Sequence, residues 1–397
     1  MTRRKLHAEH STSGERLQQS GAVTGLRVAV GLLIVTFTFA SLVGTFVMPR
    51  GKSFGLRTAL LVMRTARLLG VAIARPFRGF SQKDAILAAV GPFALLAQLA
   101  AFLTLLVLGY SIALWPYATS YPDALKLAAA EVFSAGIARV SGPGNAALQD
   151  LGAVTGGVAI ALQIGYLPAI YQAFNRRESL VTLLESRAGL PAWGPELLMR
   201  HQLIASLDGL PQLYRDWELW SADLAETHVS YPILLVFRSP QPGYSYVLAL
   251  LTVLDAAALH LSLMPSTAPH EARFCLRMGF TALRRIGETL DWSVDYDPLP
   301  DAELQLTYEE FAHAVDLLVQ VGVPTERTAE EAWPHFRGWR VNYEAVAYRL
   351  ADRIVAPPAP WSGERRHLAA DVMRPLRPAH REPGGKMTDR STLLPPG

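Results

Sequence analysis

Apolar and polar positions follow two different rhythms along this chain. Residues 26–48, LRVAVGLLIVTFTFASLVGTFVM, carry one charge, Arg27, at their start, while 85–114 and 151–174 carry none. About 20 apolar residues rising ~1.5 Å each cross a ~30 Å hydrocarbon core, so these runs predict membrane-spanning helices at 26–49, 85–114 and 151–174. From 178 to 355 the rhythm changes, and apolar residues recur every three or four positions among charged ones. That period predicts a helical domain, with helices near 178–188, 194–206, 209–226, 244–263, 269–290, 307–321 and 341–355. The expected fold class is all-α, combining membrane helices with a soluble α-helical domain. Residues 244–264 are also long enough to span, but Asp255 falls mid-run, and a central aspartate costs ~2.5–3.5 kcal/mol on insertion scales. This segment is expected as the buried central helix of the soluble domain. Asp255 then needs a buried partner, expected from Arg273, Arg277, Arg284 or Arg285.

The segments between the apolar runs have patterns of their own. In FGLRTALLVMRTARLLGVAIARPF (54–77), Arg57, Arg64, Arg67 and Arg75 are spaced 7, 3 and 8 residues apart, which puts them on one side of a helix. Such a helix lies at a membrane interface, apolar side in lipid and arginines toward anionic headgroups; packing on the soluble domain is the competing arrangement. Residues 122–135, PDALKLAAAEVFSA, place proline in a first turn and then strong helix formers. This helix is too short to cross. It either lies on the outer surface or enters the leaflet and returns, and returning backbone at membrane depth must be covered by protein or line a water-filled cavity. Residues 122–145 are therefore expected as a re-entrant, pore-loop-like helix and turn, with a surface helix and loop as the alternative. Gly152 and Gly156 form a GxxxG pair, a spacing that lets helices approach closely in lipid. Gly165 is either a further packing surface or a hinge. Residues 1–25 read as a disordered leader, and 356–397, with PPAPW, RPLRP and LLPPG, as a disordered Pro-rich tail.

Charge adds an orientation. The formal net charge of +3 is too small to argue for nucleic-acid binding. Its distribution is uneven: Arg50, Lys52, Arg57, Arg64, Arg67, Arg75, Arg78 and Lys83 face only Asp84 in the first interval, and Arg176 and Arg177 follow the third run. The positive-inside rule puts 50–84 and everything after 175 in the cytoplasm of a cell with an inner (plasma) membrane, and 116–150 with the N-terminus outside. Arg3, Arg4, Lys5 and Arg16 oppose that placement of the N-terminus. Cys275 is the only cysteine, which excludes an intrachain disulfide and a cysteine-based metal site. Glu226 and His228 are two apart and do not face one another on a helix. DWSVDYD lacks the glycine and terminal glutamate of a calcium loop. No Ser-His-Asp set, phosphate-cradling loop or GxGxxG after a strand is recognisable. Neither enzyme activity, a cofactor nor a metal is expected.

From 85 to 177 the order is span, short helix, turn, span. This layout resembles the two-span, pore-loop unit of potassium-channel-like proteins. GYLPAIYQAFNRRESLVTLLESRAG (165–189) is similar to the inner-helix exit of bacterial membrane proteins described as ion-channel-like. That likeness extends through DWELWSADLAETHVSYPILLVFRSP (216–240) and covers most of residues 26–355. The resemblance implies a homo-oligomer in the lipid bilayer, a tetramer if channel-like, with monovalent ions as partners. It also implies filter positions at Ser134, Ala135, Gly136, Ile137, Ala138 and Arg139. The family's filter resembles Thr-Val-Gly-Tyr-Gly-Asp, whose carbonyls replace an ion's hydration shell. Here Ser134 stands for the threonine and Gly136 keeps the first glycine. Ala138 replaces the second, where a Cβ costs ~1–2 kcal/mol in a left-handed conformation, and Arg139 replaces the acid and repels cations. The expectation is a channel-like protein that is weakly selective or not potassium-selective. The alternative is a non-conducting scaffold or sensor acting through its helical domain, with Trp217 and Trp220 carrying partner binding.

Overall fold

The computed structural model describes residues 2–46, 54–77, 79–133 and 143–365, together with 372, 373, 375 and 377. Every regular element among the described residues is helical. The chain divides into two compact units, Met1–Val62 with Phe93–Ala169, and Met63–Pro92 with Ile170–Gly397.

The first unit contains α1 (Thr2–Phe46), most of α4 (Val90–Leu114), α5 (Tyr121–Val132) and the first part of α6 (Pro143–Ala188). Helix α1 begins at Thr2, so it runs through the stretch expected as a disordered leader. Its crossing with α4 is set by two glycines. A Cβ on Gly31 would stand 2.5 Å from the Gly109 carbonyl oxygen, and one on Gly109 would stand 2.8 Å from Val35 Cγ2. No larger residue lets the two backbones meet there. Leu42, Phe102, Leu106, Tyr110, Leu127 and Val132 belong to the core that forms around this crossing. Phe46 closes it with edge contacts to Phe102 and Tyr166, at 5.9 and 4.8 Å between centroids.

By length and composition, four stretches among the described residues can cross a membrane: Gly21–Phe46, Phe80–Tyr117, Ala146–Ala188 and Tyr246–Leu263. They mark this chain as a membrane protein, and they are not equivalent. The most apolar windows of the first three are 28, 44 and 33 % buried, whereas that of the fourth is 100 % buried. The first three offer apolar surface to lipid; the fourth has none left to offer.

That fourth stretch is α9 (Tyr246–Leu263), the central helix of the second unit. Around it lie α7 (Gly194–Leu203), α8 (Leu210–Ser230), α10 (His270–Thr289), α12 (Ala329–Arg340) and α13 (Glu344–Arg353), while α11 (Tyr308–Gln320) packs on α7 and α12. Helices α8 and α10 also pack closely on each other. The unit is completed by α2 (Phe54–Ala74) from Met63 onward, α3 (Phe80–Ala88) and the second part of α6. Both α11 and α12 start with a capping box, Thr307 with Glu310 and Thr328 with Glu331, which satisfies two otherwise unpaired backbone donors at each helix start.

Buried ions order this core. Asp255 pairs with Arg340, and Tyr343 donates to the same carboxylate at 2.8 Å. The partner is therefore not one of the arginines of α10, as expected from the sequence, but one from α12. Arg340 also binds Glu344 at 2.6 Å, the Tyr348 hydroxyl at 2.7 Å and the Trp361 carbonyl at 2.9 Å. A second network centres on Arg177, which donates to Glu178 Oε1 at 2.7 Å and to the carbonyls of Leu234 and Phe237 at 3.0 and 2.8 Å. Residues 356–365, expected as part of a disordered tail, are built into this unit. Trp361 stands edge-on to Trp193 at 5.7 Å, and Arg365 gathers the carbonyls of Ala356, Pro357 and Ser362 at 3.0, 3.1 and 2.7 Å. Proline supplies no N–H, so the carbonyls of such a stretch need a donor from elsewhere; one arginine supplies it.

Candidate functional site

The hairpin α4–α5–α6 in the first unit is the place where the chain departs from simple spans. Helix α5 starts at Ser120, whose hydroxyl accepts from the Asp123 amide at 3.4 Å; the Asp123 carboxylate in turn accepts from Thr119 and Ser120 hydroxyls, both at 2.6 Å. These bonds fix the first turn, where Pro122 needs no partner. Along the helix, Ala124, Leu127, Ala128, Glu131 and Val132 are buried, while Asp123 and Lys126 at its start are exposed. Ala124, Leu127, Ala128 and Val132 join the same core as the spans α1, α4 and α6. So α5 is a short helix packed into the bundle of long ones.

Small residues on α6 make that packing possible. Gly156 lies directly under α5: a Cβ there would fall on the Val132 carbonyl. Gly152 stands one turn earlier, where a Cβ would be 3.5 Å from Glu131 Cβ and 3.8 Å from the Tyr110 ring. The GxxxG pair thus faces α5 and α4 within one chain. Gly165 meets open space, and Pro168 follows inside the same helix. Proline removes a backbone hydrogen bond and crowds the preceding turn, so α6 is weakest over 164–168. Tyr110 and Thr155 tie α4 to α6 by a hydroxyl pair at 3.0 Å, and Thr155 also donates to the Leu151 carbonyl at 2.8 Å. Among the described residues of this unit, four other polar atoms are buried without a hydrogen-bond partner: Ser41 Oγ, Gln98 Nε2, Gln149 Nε2 and Gln163 Oε1.

The filter positions Ser134, Ala135, Gly136, Ile137, Ala138 and Arg139 lie outside the described residues. The arginines of α2 are not arranged alike. Arg64 pairs with Asp291 at 3.3 Å, and Arg67 donates to the Arg353 carbonyl at 3.3 Å. Arg75 is exposed just past the helix end, and Arg57 lies within the helix. Leu68, Leu69 and Ile73 form the outward apolar face of the same helix. Trp217 and Trp220 are both buried in α8, with ring centroids 4.6 Å apart, and Trp220 Nε1 donates to the Arg177 carbonyl at 3.0 Å. Among the described residues no group of His, Cys, Asp and Glu is placed to hold a metal ion.

Neither the Gly31–Gly109 crossing nor the unpaired glutamines are legible in the sequence. Single glycines and amides inside uniform apolar runs have no spacing pattern to betray them. Pro168 was visible in GYLPAIY and marks the weak point of α6. No family model, curated protein or solved structure matches this chain.

Proposed function

We propose that this chain is a subunit of a channel-like oligomer, with α5 and the segment after it re-entering the membrane from outside and the second unit in the cytoplasm. One observation carries the reading. A helix of 12 residues, too short to span, has its apolar face buried among helices long enough to span. A surface helix would instead leave the spans and lie against headgroups. The four buried and unpaired polar atoms give further support. Each such group costs several kcal/mol in a lipid-surrounded unit unless water or another chain meets it. An inert anchor has no use for them. The chemistry of residues 134–139, with Arg139 in place of an acid, favours weak selectivity or passage of anions over potassium selectivity.

The test is ion flux from liposomes holding the purified, folded protein, with potassium and chloride gradients run separately. Arg139→Asp is expected to raise cation flux over anion flux. Flux of neither ion, from a preparation shown to be oligomeric, would leave the alternative, a membrane-anchored sensor or scaffold acting through the second unit. That reading draws on the self-contained buried core of the second unit, which the conduction of ions does not require.

A further inference from the structure

In the second unit, α10, α12 and the loop from Tyr296 to Pro300 line a wide, open cleft of about 690 Å³. Phe280 and Trp339 supply its aromatic walls, and Asp297 and His335 stand at its edge. Gly338 and Pro300 also line it, and a Cβ on Gly338 would stand in ordinary contact with Pro300 at 3.8 Å.

Arg284 lines this cleft with only 7 % of its surface exposed. Its guanidinium lies over Phe280 at 4.5 Å and near Tyr296 at 5.7 Å. It donates to Asn342 Oδ1 at 2.8 Å, and its Nε has no acceptor. Asn342 is held in place by its own bonds to the Gly338 and Trp339 carbonyls, at 3.1 and 3.2 Å. The contrast with the other deeply buried arginines is chemical. Arg177, Arg238 and Arg340 each have a carboxylate in direct contact, and Arg365 has a ring of carbonyls. Arg284 has five N–H donors by its chemistry, one amide oxygen, and aromatic faces that hold its plane without neutralising it. Among the described residues no carboxylate touches it, and the charges of Asp295 and Asp297 act on it only through space.

We propose that this cleft binds a small aromatic zwitterion of the amino-acid class. Its carboxylate meets Arg284, its flat apolar body lies between Phe280 and Trp339, and its ammonium faces Asp297. The assignment uses a buried guanidinium that no carboxylate or ring of carbonyls contacts, the aromatic walls, and the acid among the lining residues, Asp297. It does not depend on whether the first unit conducts.

Binding is measured by calorimetry on the full-length protein in detergent, with L-phenylalanine, benzoate and inorganic phosphate as probes. Phenylalanine is expected to bind tightest, and phosphate weakest for want of an apolar body. Arg284→Lys is expected to weaken phenylalanine about 10- to 100-fold, the range for one or two charge-assisted bonds. Asp297→Asn is expected to weaken phenylalanine and leave benzoate unchanged, which a general loss of folding would not do. Trp339→Ala tests the wall and should weaken both organic probes. No heat from any probe at about 10 mM, or phenylalanine affinity unchanged in Asp297→Asn, would overturn the proposal.

Discussion

Arg340 is fully buried and binds Asp255, Glu344, Tyr348 and the Trp361 carbonyl at once. Removing one side of a buried pair leaves a charge with neither water nor partner, at a cost of about 3–5 kcal/mol. Arg340→Met is therefore expected to lower the unfolding free energy of the second unit, read from its denaturant midpoint and slope, by that order, and adding Asp255→Asn should recover part of the loss. His228 gives a different kind of prediction. Its Nε2 lies 3.1 Å from Arg177 Nη1, a permanent donor, so Nε2 accepts and the proton sits on Nδ1, toward Thr227 Oγ1 at 3.1 Å. The Tyr246 ring packs beside it at 5.3 Å, and Glu178 offsets the charge of Arg177. Burial, and then the Arg177 charge, hold His228 well below the usual imidazole range. The folded state keeps this imidazole neutral, while the unfolded chain takes up a proton near pH ~6.5. Stability from this group is thus complete above ~6.5 and falls as the pH drops below it. Burial lowers His201 in the same direction. Melting scans from pH 7.5 to 5.5 should show this fall, and His228→Gln should make it shallower.

At the scale of elements, the two neighbouring glycines of α6 predict opposite outcomes for one substitution. A Cβ at Gly156 falls on the Val132 carbonyl, so Gly156→Ala pushes α5 away from α6 and should cost about 1–3 kcal/mol, the usual range for overpacking. A Cβ at Gly157 meets nothing, so Gly157→Ala should add about 0.5–1 kcal/mol from helix propensity alone. Thermal melting of the two variants in detergent checks the sign. The elements were also where the sequence was most legible. Helices expected at 194–206, 209–226, 244–263, 269–290 and 307–321 correspond to α7, α8, α9, α10 and α11, with ends shifted by a few residues. Helix α12 escaped because Pro334 sits inside AEEAWPHFRGWR and charged residues break its apolar period. Its start was still written in the sequence, since Thr328-x-x-Glu331 is a capping box. Missing α12 meant missing Arg340, and so the true partner of Asp255. The arginines of α2 illustrate another limit. Spacing puts Arg64 and Arg67 on one side of a helix, but whether that side meets headgroups or protein depends on a helical unit far along the chain, where Asp291 and the Arg353 carbonyl receive them.

For the molecule as a whole, apolar length and apolar exposure have to be read together. Tyr246–Leu263 has the hydropathy of a span and the burial of a core. A reporter fused after residue 365 should report the same side of the membrane as one inserted at the Pro240–Gly243 turn; opposite sides would make α9 a crossing. Its neighbours make the expected outcome firm. Helix α8 comes before α9 in the chain and α10 after it, yet α8 and α10 lie against each other. A crossing would hold them on opposite faces of a ~30 Å hydrocarbon layer. The parity of the topology thus turns on a contact between two helices: while α8 and α10, which flank the last apolar stretch, clasp each other, that stretch adds no crossing. Insertion of α9 into lipid during synthesis would have to precede the docking of α10 on α8 or undo it.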